Sequence, residues 1–252
     1  MSVLISLCSF FALSSVASAE PTVFTQNSAT TLSKGDWSIG VFSPLRYGLT
    51  DTIELSVVHP GWVLTAPHLR LMSQYEKLGD WSVASRHQLG YPTPLLKQLA
   101  REGTGGVLPP DSTIPHTLVS KNDVYFGKTV NESEMTLSVG FALAVELGDS
   151  DYPTIDYAYG FRQTNLYQNK TALQLGFGWE QFITEKIGFR TWSKGYYFPL
   201  ADEAWALEQR DTVLFQVSET SQASIGVNLS VAEYPWGEQW HAFPALDWMW
   251  IW

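Results

Sequence analysis

The run from Met135 to Leu147 restricts the fold of this chain more than any other stretch. Met135, Leu137, Val139, Phe141, Leu143, Val145 and Leu147 occupy its odd positions, and Thr136, Ser138, Gly140, Ala142, Ala144 and Glu146 its even ones. Successive side chains of an extended strand point to opposite faces, so the segment presents one wholly apolar face and one small or polar face. It is longer than the usual strand of a soluble sandwich and exceeds the about 9 to 11 residues that a tilted strand needs to cross a bilayer. The expected wall is therefore apolar on one side and polar on the other.

Six further segments repeat the rule. Ile53, Leu55 and Val57 alternate with Thr52, Glu54 and Ser56, and Leu69, Leu71 and Tyr75 with Arg70 and Gln74. Ile155, Tyr157, Tyr159 and Phe161 alternate with Asp156, Ala158, Gly160 and Arg162, and Leu173, Leu175, Phe177 and Trp179 with Gln174, Gly176, Gly178 and Glu180. Val213, Phe215 and Val217 oppose Gln216 and Ser218, and Ile225, Val227, Leu229 and Val231 oppose Gly226, Asn228 and Ser230. Short polar turns separate the runs at Leu49-Thr50-Asp51, Leu78-Gly79-Asp80, Thr184-Glu185-Lys186 and Glu219-Thr220-Ser221, which suits sequential antiparallel hairpins.

The pattern predicts an all-β, antiparallel up-and-down transmembrane barrel of about 12 strands, with 10 as the even-numbered alternative. The expected strands are 36–44, 51–58, 67–76, 80–89, 117–127, 134–147, 153–164, 171–182, 187–198, 211–219, 223–233 and 241–252. One insertion, 91–115, is too long for a simple turn. Within it Pro94 to Arg101 reads as a short amphipathic helix ended by Gly103, with Leu95, Leu96 and Leu99 on one side. Those leucines need a covering surface, so the helix is expected to cap one mouth of the barrel.

The chain opens on the apolar run Val3 to Leu13, too short to span a bilayer, followed by Ala17 and Ala19 at small-residue positions. This reads as a signal peptide over residues 1–19, cleaved after Ala19, although no Lys or Arg precedes its apolar core. Residues 20–252 then form one domain. The only cysteine, Cys8, lies in that leader, which excludes disulfide and thiolate chemistry from the remainder. A net charge of −10 without basic clusters makes nucleic acid a poor partner. No later stretch is apolar enough for a membrane helix, so insertion would have to be as a barrel.

The sequence closes on Leu246-Asp247-Trp248-Met249-Trp250-Ile251-Trp252, with Trp248, Trp250 and Trp252 sharing one face. Together with the leader and the alternation, this resembles the C-terminal signature of bacterial outer-membrane β-barrel proteins, a terminal aromatic residue preceded by apolar residues at every second position. The resemblance implies outer-membrane lipid and the barrel-assembly machinery as partners, and Leu246, Trp248, Trp250 and Trp252 as the assembly signal. The 11 Trp of the chain suit aromatic girdles, while a soluble periplasmic all-β binding protein is the alternative use of the same residues.

Strand parity directs Glu54, Arg70, Arg86, Glu146, Asp156, Arg162, Glu180, Arg190 and Lys194 inward. A lumen carrying both signs suits either a narrow passage for small solutes or a salt-bridged structural barrel. No cofactor or metal is expected: His59, His68, His87, His116 and His241 are scattered singly, and Gly103-Thr104-Gly105-Gly106 lacks the context of a phosphate loop. Ser85 and His87 share one strand face at i, i+2 spacing, the basis of an alternative reading as an outer-membrane enzyme acting on lipid or peptide. No acidic orienter lies near them in sequence, so a catalytic role is not assigned.

Overall fold

A computed structural model of the chain describes residue 24 and residues 27–59, 65–103, 107–131, 133–202 and 204–252. The leader read at 1–19 lies outside the described residues.

Twelve antiparallel strands close into a barrel in which each pairs with its neighbours in sequence and the last returns to the first. They are β1 Trp37–Gly40, β2 Leu45–Thr50, β3 Ile53–Val57, β4 His68–Gln74, β5 Ser82–Gly90, β6 His116–Val130, β7 Ser133–Leu147, β8 Thr171–Phe182, β9 Ile187–Tyr197, β10 Trp205–Ser218, β11 Ser221–Tyr234 and β12 Gly237–Ile251. Among the described residues there are two helices, α1 Thr93–Leu99 and α2 Ala158–Asn169.

The wall follows the alternation. On β7, Leu137, Val139, Phe141, Leu143, Val145 and Leu147 are exposed outside, whereas Thr136, Ser138, Ala142 and Ala144 are buried inside. The same contrast runs along β8, where Leu173, Leu175 and Phe177 are exposed beside buried Ala172 and Gln174. Exposed Trp residues mark both ends: Trp236 and Trp240 at one, and Trp37, Trp250 and Trp252 at the other.

Connections are unequal. Those on the side of the chain termini are brief, such as β6 to β7 and β10 to β11, while the long connections from β3 to β4, β5 to β6 and β7 to β8 start and finish at the opposite end of the strands. The wall is also lopsided, since β1 to β4 are short and β6, β7 and β12 long. The register of β12 on β1 runs only from Ile251 to Met249, extended by a bond from Val41 N–H to Trp248 O on one side and by the Trp37–Trp252 pair on the other, so among the described residues β12 from Gly237 to Asp247 pairs on its β11 side alone. Pro244 is tolerated in that free-edge portion because proline has no N–H to contribute to a ladder.

Two expectations need correction. The segment 153–164 is not a strand; it forms the lead-in and first half of α2, so Asp156 and Arg162 do not take their direction from strand parity. The stretch 36–50, read as one strand and a turn, instead bends at 41–44 to give β1 and β2, which restores the count of twelve. A helix in a long loop was expected once, in 91–115; among the described residues α2 in 148–170 is another.

The two ends of the interior are occupied by the chain itself. Helix α2 packs inside the loop-bearing mouth, with Phe161, Leu166 and Tyr167 buried against small wall residues Ala142, Ala144, Ala172, Ala206 and Ala232 and against Tyr196, Phe198 and Tyr234. Small side chains at those five wall positions leave the space the helix occupies. Helix α1 lies over the same mouth: Leu96 is buried in this cluster, Leu99 packs against it, Leu95 is half-buried, and Lys97 and Gln98 are exposed.

The other end is occupied by the segment ahead of β1. The Leu32 N–H donates to Glu54 Oε2 at 3.1 Å, the Thr31 N–H donates to Gln74 Oε1 at 3.2 Å, and Ala29 is buried against Met72, Ala84 and Tyr125. A Cβ on Gly48 would stand 2.0 Å from the Ser33 carbonyl oxygen, so only glycine admits this segment so close to β2.

Candidate functional site

Inward charges meet as pairs along the barrel axis. Near the terminus-bearing end, Arg46 grips Glu54 through Nε at 2.9 Å and Nη2 at 2.7 Å, and Arg190 Nε donates to Glu180 Oε2 at 2.6 Å. At mid-height Asp123 accepts from Lys194 Nζ at 3.0 Å and from Arg86 Nη2 at 3.5 Å, while Arg86 lies over the Tyr125 ring. Arg70 Nε donates to Gln88 Oε1 at 2.7 Å. Under the loop-bearing mouth, Arg162 of α2 pairs with Glu208 at 2.5 Å and donates to Tyr196 Oη at 2.7 Å.

Glu146 holds the loop that delivers α2, accepting from Lys170 Nζ and from Tyr152 Oη. Burial, reinforced by the Glu146 carboxylate, pushes the Tyr152 phenol above its ordinary value and keeps it a hydrogen-bond donor. Of the inward charges read from sequence, Glu54, Glu180 and Lys194 are buried, Arg70, Arg86, Glu146, Arg162 and Arg190 are half-buried, and Asp156 is half-buried in the lead-in to α2.

Between the two occupied ends lies a chamber of about 410 Å³. Its charged lining is Arg70, Arg86, Lys121, Arg162, Lys194 and Arg210 against only Asp123 and Glu208. The chain is acidic as a whole, yet the lining of this chamber carries more cationic than anionic side chains. Sequence reading missed Arg46, Lys121, Asp123, Glu208 and Arg210. The signal for two of them was present in the order Val119, Lys121, Asp123, Tyr125, which is the inward face of β6.

A second polar constellation sits on the outer wall, among exposed Leu69, Leu71, Leu89, Val124 and Phe141. His87 of β5 is the direct cross-strand partner of Asn122 on β6. Its Nδ1 lies 2.8 Å from Asn122 Oδ1 and its Nε2 lies 3.2 Å from Ser85 Oγ. Tyr75 Oη is 2.7 Å from the same Ser85 Oγ, and Asn122 Nδ2 donates to Ser120 Oγ at 3.1 Å. The residue that faces the His87 ring is thus Asn122, distant along the chain and adjacent across the sheet.

At the seam, Leu246, Trp248, Trp250 and Trp252 of the C-terminal motif all face outward and are exposed. The Trp37 N–H donates to Trp252 O at 2.8 Å and the Trp252 N–H to Trp37 O at 3.1 Å, so the last residue is stitched to the first residue of β1. Compared with known proteins, the chain matches no protein-family model and no curated protein.

Proposed function

We propose that this protein is a bacterial outer-membrane β-barrel that admits small anionic solutes to a constricted interior. The observation that carries the solute class is the chamber, where six cationic side chains face two carboxylates. Desolvated walls of one sign raise the local concentration of the opposite ion. An apolar outer wall, tryptophans at both ends and short turns at the terminus-bearing end support the membrane reading. The exposed C-terminal motif supports recognition by the barrel-assembly machinery. No helix among the described residues is long and apolar enough to cross a membrane, so strands would make the crossing.

The test is current through planar bilayers under a salt gradient. Anion selectivity at low conductance is the expected result, with Lys121→Glu moving the reversal potential toward the cation value. Cation selectivity in the unaltered protein would overturn the assignment. A second reading, a structural barrel, is favoured by α2 and the 27–33 segment filling the two ends, and it predicts silence even after α2 is dislodged.

A further inference from the structure

We propose that Ser85, His87 and Asn122 form a serine-hydrolase triad on the outer wall, and that its substrate is the acyl ester of a membrane lipid. The substrate class rests on the membrane reading above; the triad itself does not. Polar groups on a wall of this kind are costly unless they satisfy one another, and mutual satisfaction alone would account for a cluster. What a cluster does not require is a single direction of donation. The contacts here admit one: with Asn122 Nδ2–H donating to Ser120 Oγ and His87 in its Nδ1–H tautomer, Asn122 Oδ1 accepts from the ring, the Ser85 hydroxyl can donate to His87 Nε2 and the Tyr75 hydroxyl can donate to Ser85 Oγ.

With the Asn122 amide nitrogen donating to Ser120 Oγ, its oxygen is the atom that faces the imidazole. The amide oxygen then holds the ring with its proton on Nδ1 and leaves the Nε2 lone pair toward the serine. These are the roles of nucleophile, general base and orienter, at the distances the chemistry needs. Asn122 acts through His87 and is a positioning residue, as is Ser120. Leu71, across from His87 on β4, and Phe141, across from Asn122 on β7, offer exposed apolar surface beside the nucleophile for an acyl chain.

The reaction balances with water as the only co-substrate. Ser85 Oγ attacks the ester carbonyl carbon while its proton passes to His87 Nε2. The carbon–oxygen bond to the alcohol breaks, and the alcohol leaves with that proton, giving an acyl-serine. Water then attacks the same carbon, His87 takes its proton and returns it to Ser85 Oγ, and the fatty acid is released. Ser85 is only 6% exposed because Tyr75 and His87 cover it. Tyr75 is itself exposed, so its ring can move aside and bring its hydroxyl to the developing oxyanion.

The experiment uses the full barrel in mixed micelles of phosphatidylcholine and detergent. Three readouts run together: fatty-acid release, hydrolysis of a water-soluble short-chain nitrophenyl ester, and labelling by a fluorophosphonate probe with the modified residue located by mass spectrometry. Labelling at Ser85 is expected, abolished by Ser85→Ala. His87→Ala is expected to lower turnover by about 10²- to 10⁴-fold. Asn122→Ala should lower kcat with KM little changed, and Asn122→Asp should restore most of the loss, a rescue that a merely structural role would not give. Heat-modifiable migration confirms that each variant is folded. Absence of labelling in the unaltered protein, or esterase activity that survives Ser85→Ala, would overturn the triad. Labelling and soluble-ester hydrolysis without release from phosphatidylcholine would uphold the triad and overturn the lipid substrate.

Discussion

Glu54 shows how an interior charge is held in this wall. It takes the Arg46 fork on both carboxylate oxygens and the Leu32 N–H on one of them, with the side chains of both ion-pair partners 4% exposed. Removing one member of such a pair strands the other charge away from water, at about 3–5 kcal/mol, whereas replacing both by apolar groups of similar size is often close to neutral. Glu54→Ala is therefore expected to lower the urea midpoint of the folded barrel well below that of an Arg46→Met, Glu54→Leu double variant. Equal midpoints would show that the pair is not what holds this part of the interior. Parity put Glu54 on the inner face in the sequence, but its partner was out of reach because Arg46 falls between two expected strands. Ala142 teaches the complementary point. Its side of β7 was legible from alternation, yet it faces a packed helix and not water, and nothing local to β7 says so.

Helix α2 was misread for a physical reason. A helix on the surface of a protein buries one stripe and shows a 3.6-residue period, but this one is enclosed by the barrel and buries Ala158, Phe161, Thr164, Asn165, Leu166 and Tyr167, positions that spread round its axis. With no one-sided pattern left, the chance alternation of 155–162 dominated. The upper half of β10 was lost differently: Glu208 and Arg210 face inward while Gln209 and Asp211 bond each other on the opposite side, so polar residues run together and the alternation disappears. The long, two-faced strands β7, β8 and β11 had neither complication and were legible. Phe161 is the anchor of α2, lying edge-on to Phe198 and 4.6 Å from the Tyr234 ring. Phe161→Ala removes contacts worth about 3–5 kcal/mol and is expected to release the helix from the mouth, raising single-channel conductance while the barrel stays folded. Unchanged conductance in a folded variant would show that α2 is not the barrier.

At the scale of the whole barrel, closure depends on its weakest pairing. Only three residue pairs register β12 on β1, and the two hydrogen bonds between Trp37 and Trp252 extend that short seam. Deleting Trp252, or replacing it by Asp, is expected to reduce the heat-modifiable fraction recovered from outer-membrane preparations, whereas Trp252→Phe should preserve it. Full recovery of the deletion variant would remove the C-terminal residue from the assembly step. The segment ahead of β1 adds a constraint of a different kind. Residues 27–33 lie inside the ring, with Asn27 reaching Arg86 at mid-height and Ser33 against Gly48 lower down, so the chain enters β1 from within. One stretch of chain thus both fills this end and leads into the wall: residues 27–33 touch β2, β3, β4 and β5 before the chain turns into β1, so the first strand is held from inside the ring as well as by its neighbours in the sheet.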